Sequence, residues 1–127
     1  MYGHNTVIVR GGTFVEEDAR RLVLVYPVAD LPRAKALFIV LLGIEPYADS
    51  TYYVGFRLGP IEVGLAPQRG EKTSGPTAFF AVNDIRERLQ RLLDAGASAG
   101  QEVKDVGGGA LTATVKDADG NVLAMVQ

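Results

Sequence analysis

The 127-residue chain contains no cysteine, no tryptophan and one histidine, His4. Without cysteine there can be no disulfide, thiolate zinc site, iron–sulfur cluster or cysteine nucleophile. A lone histidine removes the paired-histidine metal sites found in most zinc hydrolases. Charge of one sign is also scarce, because 13 basic residues stand against 15 acidic ones for a net charge of −2. No broad cationic field exists to hold a phosphate backbone, so nucleic acid is excluded as the main partner. Long apolar runs are missing as well. The longest, residues 36–42, falls far short of the roughly 20 residues that span a bilayer. Residues 1–20 carry Arg10, Glu16, Glu17, Asp18 and Arg20, which is not the pattern of a signal peptide. These absences exclude a membrane partner and fit a cytoplasmic location.

What is present suits a single packed domain. Hydrophobic residues make up 47% of the chain, and a chain of this length buries roughly two-thirds of its unfolded surface. The dominant pattern is an internal duplication. Residues 22–43 (LVLVYPVADLPRAKALFIVLLG) and 75–96 (GPTAFFAVNDIRERLQRLLDAG) share a β-rich run, a Val-x-Asp and a helical stretch closed by glycine. Val28 and Asp30 recur as Val82 and Asp84, a shift of 54, and Gly43 recurs as Gly96, a shift of 53. Repetition of this kind marks one supersecondary unit used twice.

Each helix has mechanical signals. Asp30 suits an N-cap, Pro32 sits in the first turn where its missing N–H costs nothing, and Gly43 supplies the stop. Ala34, Leu37, Phe38 and Leu41 recur at helical spacing and are expected to face a sheet. In the second copy Asp84 caps and Ile85, Leu89, Leu92 and Leu93 form the buried stripe. Its remaining face, Arg86, Glu87, Arg88, Gln90 and Arg91, reads as solvated.

Strands follow each helix. Residues 51–58 and 61–66 flank Gly59-Pro60, a tight-hairpin signal that sets Leu58 opposite Ile61, Arg57 opposite Glu62 and Phe56 opposite Val63. Opposed side chains share a face. Val54, Phe56, Leu58, Ile61, Val63 and Leu65 are expected under the helix, and Tyr53, Gly55, Arg57, Glu62 and Gly64 on the other side. Tyr52 is expected to face the helix. Residues 99–103, 110–116 and 122–126 repeat the layout, with a turn at 117–121 and a linker at 67–76. The expected architecture is α+β, with modules 21–67 and 76–127 each folded as βαβββ and residues 1–20 forming an extension. Residues 6–15 of that extension read as a small hairpin.

Paired units carrying VADLPRAKALFIVLLG in one copy and VNDIRERLQRLLDAG plus DADGNVLAM in the other resemble the vicinal oxygen chelate superfamily. That group includes glyoxalases, extradiol dioxygenases, fosfomycin-resistance transferases and bleomycin-resistance proteins. The resemblance runs from about Leu22 to the C-terminus, with Ala118 where the family usually has proline. It implies a cup-shaped mixed sheet with the helices on its outer face. It also implies a divalent metal held by His or Gln on each first strand and an acid on the last. Those positions fall here on Val23, Thr77, Gly64 (or Glu62) and Ala124. Such side chains cannot complete a metal site, so no metal and no other cofactor is expected.

A cup without its metal resembles the bleomycin-resistance type, which sequesters a drug without altering it. The expected lining is Val23, Val25, Tyr53, Arg57, Glu62, Thr77, Phe79, Thr112 and Thr114, an apolar and aromatic wall with a few polar groups. Arg57 and Glu62 also read as an ordinary cross-strand ion pair. Among Tyr47, Tyr52 and Tyr53, Tyr53 is the foremost ligand contact. His4 reads as solvent-exposed. Gly107 to Gly109 read as a lid or a strand connection, and with no Lys-Ser/Thr and helix behind them they are not a phosphate loop. Asp117-Ala-Asp-Gly-Asn121 reads as a turn, since its glycine comes too early for a calcium loop. Ile39 and Val40 make the first helix apolar nearly all round, which implies a cover by the extension or by a partner in a homodimer. The expected function is metal-independent binding of a small molecule. The alternatives are a metal-dependent lyase or dioxygenase with unusual ligands, and a structural or regulatory dimer.

Overall fold

A computed structural model describes residues 7–10, 13–16, 21–68 and 75–127. The secondary structure is α+β and falls into two compact units, Leu22–Ala78 and Phe79–Gln127 together with Met1–Arg21. In the N-terminal segment, β1 (Val7–Arg10) pairs antiparallel with β2 (Thr13–Glu16). His4 lies outside the described residues.

The first unit is built from β3 (Leu22–Val28), α1 (Leu31–Leu42), β4 (Ala48–Asp49), β5 (Val54–Leu58) and β6 (Ile61–Pro67). Its strands lie in the order β4-β5-β6-β3, antiparallel except for the parallel pair of β6 and β3. The second copy repeats this with β7 (Thr77–Ala81), α2 (Ile85–Asp94), β8 (Ser98–Ala99), β9 (Lys104–Asp105), β10 (Leu111–Lys116) and β11 (Val122–Val126). Here the order is β7-β11-β10-β8, β11 is parallel to β7, and β9 adds to the edge of β10. First and last strands of each copy are therefore parallel neighbours. The duplication read from the sequence is a duplication of topology.

Local chemistry starts and stops these elements. The Asp30 carboxylate accepts from Arg33 N at 3.0 Å and Asp84 from Glu87 N at 3.1 Å, so both caps satisfy an otherwise orphaned helix donor. Gly43 ends α1 in the left-handed region at φ 73. Gly59 turns the β5–β6 hairpin at φ 63. Since Pro60 cannot take a positive φ, the turn belongs to the type II′ class. Asp117 Oδ1 accepts from Asp119 N and Asn121 N, and Oδ2 from Asn121 Nδ2, which makes the 117–121 segment a side-chain-organised turn. The three glycines 107–109 all have positive φ. They close a turn between β9 and β10, in which Val106 N bonds Ala110 O at 2.9 Å.

Each unit has its own core between helix and sheet. In the first, Leu31, Val54, Phe56, Val63 and Leu65 are buried, and Phe38 packs its ring 5.0 Å from Tyr26 and 6.3 Å from Phe56. In the second, Ile85 from α2 packs with Val82, Ala113 and Met125, backed by Leu89 and Leu92.

Several expectations are corrected. Leu37 and Leu41 are 66% and 71% exposed, whereas Leu31, Phe38 and Leu42 pack on the core. Apolar residues surround α1, so periodicity alone could not set its phase. Leu58 and Ile61 lie at the hairpin tip and stay more than a third exposed. Tyr52 is exposed in a turn at residues 50–53, organised by the Ser50 hydroxyl, and does not face the helix. That turn delays β5 to Val54. The strand expected at 99–103 pairs only at Ser98–Ala99, with Lys104–Asp105 pairing separately. Neither described helix is long and apolar enough to cross a membrane.

Candidate functional site

The sheet face turned away from α1 carries the polar groups of the first unit. Val23 and Val25 are register partners of Glu62 and Gly64 across the parallel β3–β6 pair, and Arg57 and Gly55 partner the same two residues across β5–β6. Tyr53 precedes β5 on that face. The structure thus brings together five of the nine expected lining residues: Val23, Val25, Tyr53, Arg57 and Glu62. The other four lie on β7 and β10. Phe79 and Thr114 both partner Ala124, Thr112 shares the Thr114 face by alternation, and Thr77 shares that of Phe79. The Thr114 hydroxyl accepts from Gln101 N at 2.8 Å, which ties down the connection that follows β8.

Glu62 is the centre of the first-unit face. Among the described residues it is the buried charged one, 7% exposed, and burial of a carboxylate is tolerable only with hydrogen-bond partners. The phenols of Tyr47 and Tyr53 both donate to Glu62 Oε2, at 2.7 and 2.5 Å. The Arg57 guanidinium lies over the Tyr47 ring, 4.0 Å from its centroid, a cation–π contact. The Tyr47 phenol is held above its ordinary value, first by burial and then by its hydrogen bond to Glu62 and the negative charge there, with Arg57 opposing.

Two glycines make room for this cluster. A Cβ at Gly64 would meet the Tyr53 hydroxyl and come within 2.7 Å of its Cε1. A Cβ at Gly55 would lie 2.9 Å from Tyr47 Cε1 and 2.9 Å from Tyr53 Cε2. Neither glycine has a positive φ, so the requirement is space and not backbone conformation. Glycine inside a strand marks such close approach, and it was the signal in the sequence that could have located the cluster. Tyr47 was harder to find because it precedes β4, which is two residues long and too short to show a period.

The donor set does not fit a catalytic divalent metal. Glu62 is the single carboxylate among the four positions that the family pattern points to, and its Oε2 is committed to two phenols. Val23, Gly64 and Ala124 offer no lone pair. Among the described residues, no three His, Cys, Asp or Glu side chains cluster closely enough to hold a metal ion.

Comparison with known proteins gives a consistent result. The family model described as Glyoxalase/Bleomycin resistance protein/Dioxygenase superfamily matches residues 20–125. No match is found among curated proteins. Among solved structures, one described as NAD-dependent benzaldehyde dehydrogenase from Legionella pneumophila aligns at TM-score 0.70 and 20% identity, covering 83% of this chain and 96% of that one. A glyoxalase/bleomycin resistance protein/dioxygenase superfamily member from Vibrio splendidus aligns at TM-score 0.62 and 21% identity, covering 85% and 98%. A variant of Streptomyces coelicolor methylmalonyl-CoA epimerase, solved with 2-nitronate-propionyl-CoA, aligns at TM-score 0.69 and 13% identity, covering 85% and 93%. At these identities the likeness is one of fold.

Proposed function

Because the chain belongs to the Glyoxalase/Bleomycin resistance protein/Dioxygenase superfamily, we propose that it is a metal-independent small-molecule-binding protein of that fold. It holds a compound, such as an antibiotic, without changing it chemically. The observation that carries this reading is the commitment of Glu62 Oε2 to the phenols of Tyr47 and Tyr53. A family position suited to a metal-binding acid is here an acceptor inside a hydrogen-bonded aromatic cluster. Val23 and Val25 alongside supply apolar wall, the combination that small-molecule sites use. Thr77, Phe79, Thr112 and Thr114 are the proposed ligand contacts on the second copy's own sheet face, and no cofactor takes part.

The proposed assembly is a cytoplasmic homodimer. Its support is the outer face of α1, where Leu37, Val40 and Leu41 are 66%, 82% and 71% exposed. With the N-caps aligned, their counterparts in α2 are Arg91, Asp94 and Ala95, so the same surface in the second copy is mostly charged. Exposed apolar clusters of this kind mark association surfaces.

Metal analysis of protein purified without chelator, paired with a thermal-shift screen of aromatic antibiotics, glycopeptides and small metabolites, tests the function. Metal-free protein stabilised by at least one compound is expected. One tightly bound stoichiometric metal ion, or a screen in which nothing stabilises the fold, overturns the reading.

A further inference from the structure

The first-unit face already holds one aromatic hydroxyl, and it comes from the protein itself. The Tyr53 ring lies across Gly64 and Gly55, with Cε1 over the first and Cε2 over the second, and its hydroxyl reaches Glu62 Oε2 at 2.5 Å. We infer that Glu62, with its Gly55–Gly64 floor, is a recognition site for the hydroxyl of an aromatic ligand that enters where Tyr53 lies. This inference rests on the binding function proposed above and names its ligand class.

Four features support it. The carboxylate is almost wholly buried, so any group replacing the Tyr53 phenol must itself donate a hydrogen bond. The floor has no side chains, so a flat ring can lie directly on the backbone. Tyr47 stays in place as the second donor to Oε2 while Arg57 stacks over its ring. Tyr53 is positioned by the 50–53 turn, in which the Ser50 hydroxyl accepts from Tyr52 N and Tyr53 N and donates to Tyr53 O.

The second copy serves as an internal control. Val25 pairs with Gly64 as Phe79 pairs with Ala124, and Gly55 pairs with Gly64 as Thr114 pairs with Ala124. By the same register, Glu62 corresponds to Val122 and Tyr53 to Thr112. The carboxylate, the phenol and the bare floor thus belong to the first copy alone, and the shared fold does not require them.

The test titrates wild-type protein and Tyr53→Ala with p-cresol and with toluene, which has nearly the same shape but no hydroxyl. Tyr53→Ala is expected to bind p-cresol roughly 10-fold or more tightly than toluene, the ratio a hydrogen bond to a charged group supports. Adding Glu62→Ala to that variant is expected to bring the ratio near one. Wild type is expected to bind p-cresol more weakly than Tyr53→Ala, with NMR shifts at Tyr53 and Glu62 that toluene does not cause. This wild-type readout stands even if the variant fails to fold. Equal binding of the two probes, or unmoved Tyr53 and Glu62 signals in wild type at saturating p-cresol, overturns the inference. A screening compound that binds wild type while leaving both signals unmoved also overturns it, yet leaves the binding function intact. Selective p-cresol binding with no hit in the screen does the reverse.

Discussion

Gly64 and Gly100 look alike in the sequence and are constrained by different neighbours. A Cβ at Gly64 meets the Tyr53 side chain, whereas one at Gly100 lies 2.5 Å from the Thr114 hydroxyl and also 2.7 Å from the Thr114 backbone oxygen. Gly64→Ala is expected to destabilise by about 1–3 kcal/mol through overpacking and a weakened Tyr53–Glu62 bond. Tyr53→Ala in the same chain should recover much of that loss. Gly100→Ala is expected to show a smaller recovery with Thr114→Ala, because the Thr114 main chain obstructs there as well as its hydroxyl. Denaturant melts of the two double-mutant cycles check both statements. Tyr47 offers a second residue-level test. Its phenol sits above the ordinary value of about 10, mainly from burial and then from Glu62. The associated stability is present below that ordinary value and is lost as pH rises through the higher folded value. Absorbance titration should therefore show a late-titrating Tyr47 phenol in wild type. Glu62→Gln should move it partway down, since burial persists; an unmoved midpoint would disprove the coupling.

At the scale of elements, the two helices show how far a periodic pattern reaches. The charged face of α2 leaves a single possible phase, and Ile85, Leu89 and Leu92 pack where the spacing places them. In α1 the pattern Ala34, Leu37, Phe38 and Leu41 competes with Leu31, Ala34, Phe38 and Leu42, and the second packs on the core. The caps resolve the choice, because Asp30 aligned on Asp84 puts Leu31 where Ile85 lies and Phe38 where Leu92 lies. The turn at 117–121 was legible because the Asp117 carboxylate accepts from the turn's own backbone N–H groups. Its carboxylate is held below the ordinary value of about 4, first by Asn121. That contribution is fully present above the ordinary value and disappears as pH falls through the lower folded one. The melting-temperature gap between wild type and Asp117→Ala should accordingly be constant near neutrality and close in acid. A gap that widens in acid would contradict the assignment.

For the whole molecule, the acid position that the family resemblance implies, Gly64 or Glu62, offers one carboxylate, and its Oε2 is already hydrogen-bonded to two phenols. Chelator treatment is expected to leave Tm within about a degree, since a stabilising ion would contribute through its binding free energy. A large fall in Tm on chelation would show that an ion supports the fold. The copies also differ in length between helix and last strand. First strands and helices repeat at a shift of 54, while register sets Gly64 against Ala124, 60 residues on. The added residues carry β9 and the glycine turn at 107–109.

Repetition, capping residues and alternation are local properties, and from them the sequence alone determined two βαβ-type units, their helix boundaries and which strand residues share a face. The β5–β6 register was readable because a two-residue loop at Gly59-Pro60 leaves little freedom. Tertiary structure decided the rest. That Tyr47 and Tyr53 meet on one oxygen of Glu62 depends on a two-residue strand, a turn held by Ser50 and the space above two glycines. None of these has a period, and contacts made across 9 and 15 residues of chain exist only once the sheet has formed.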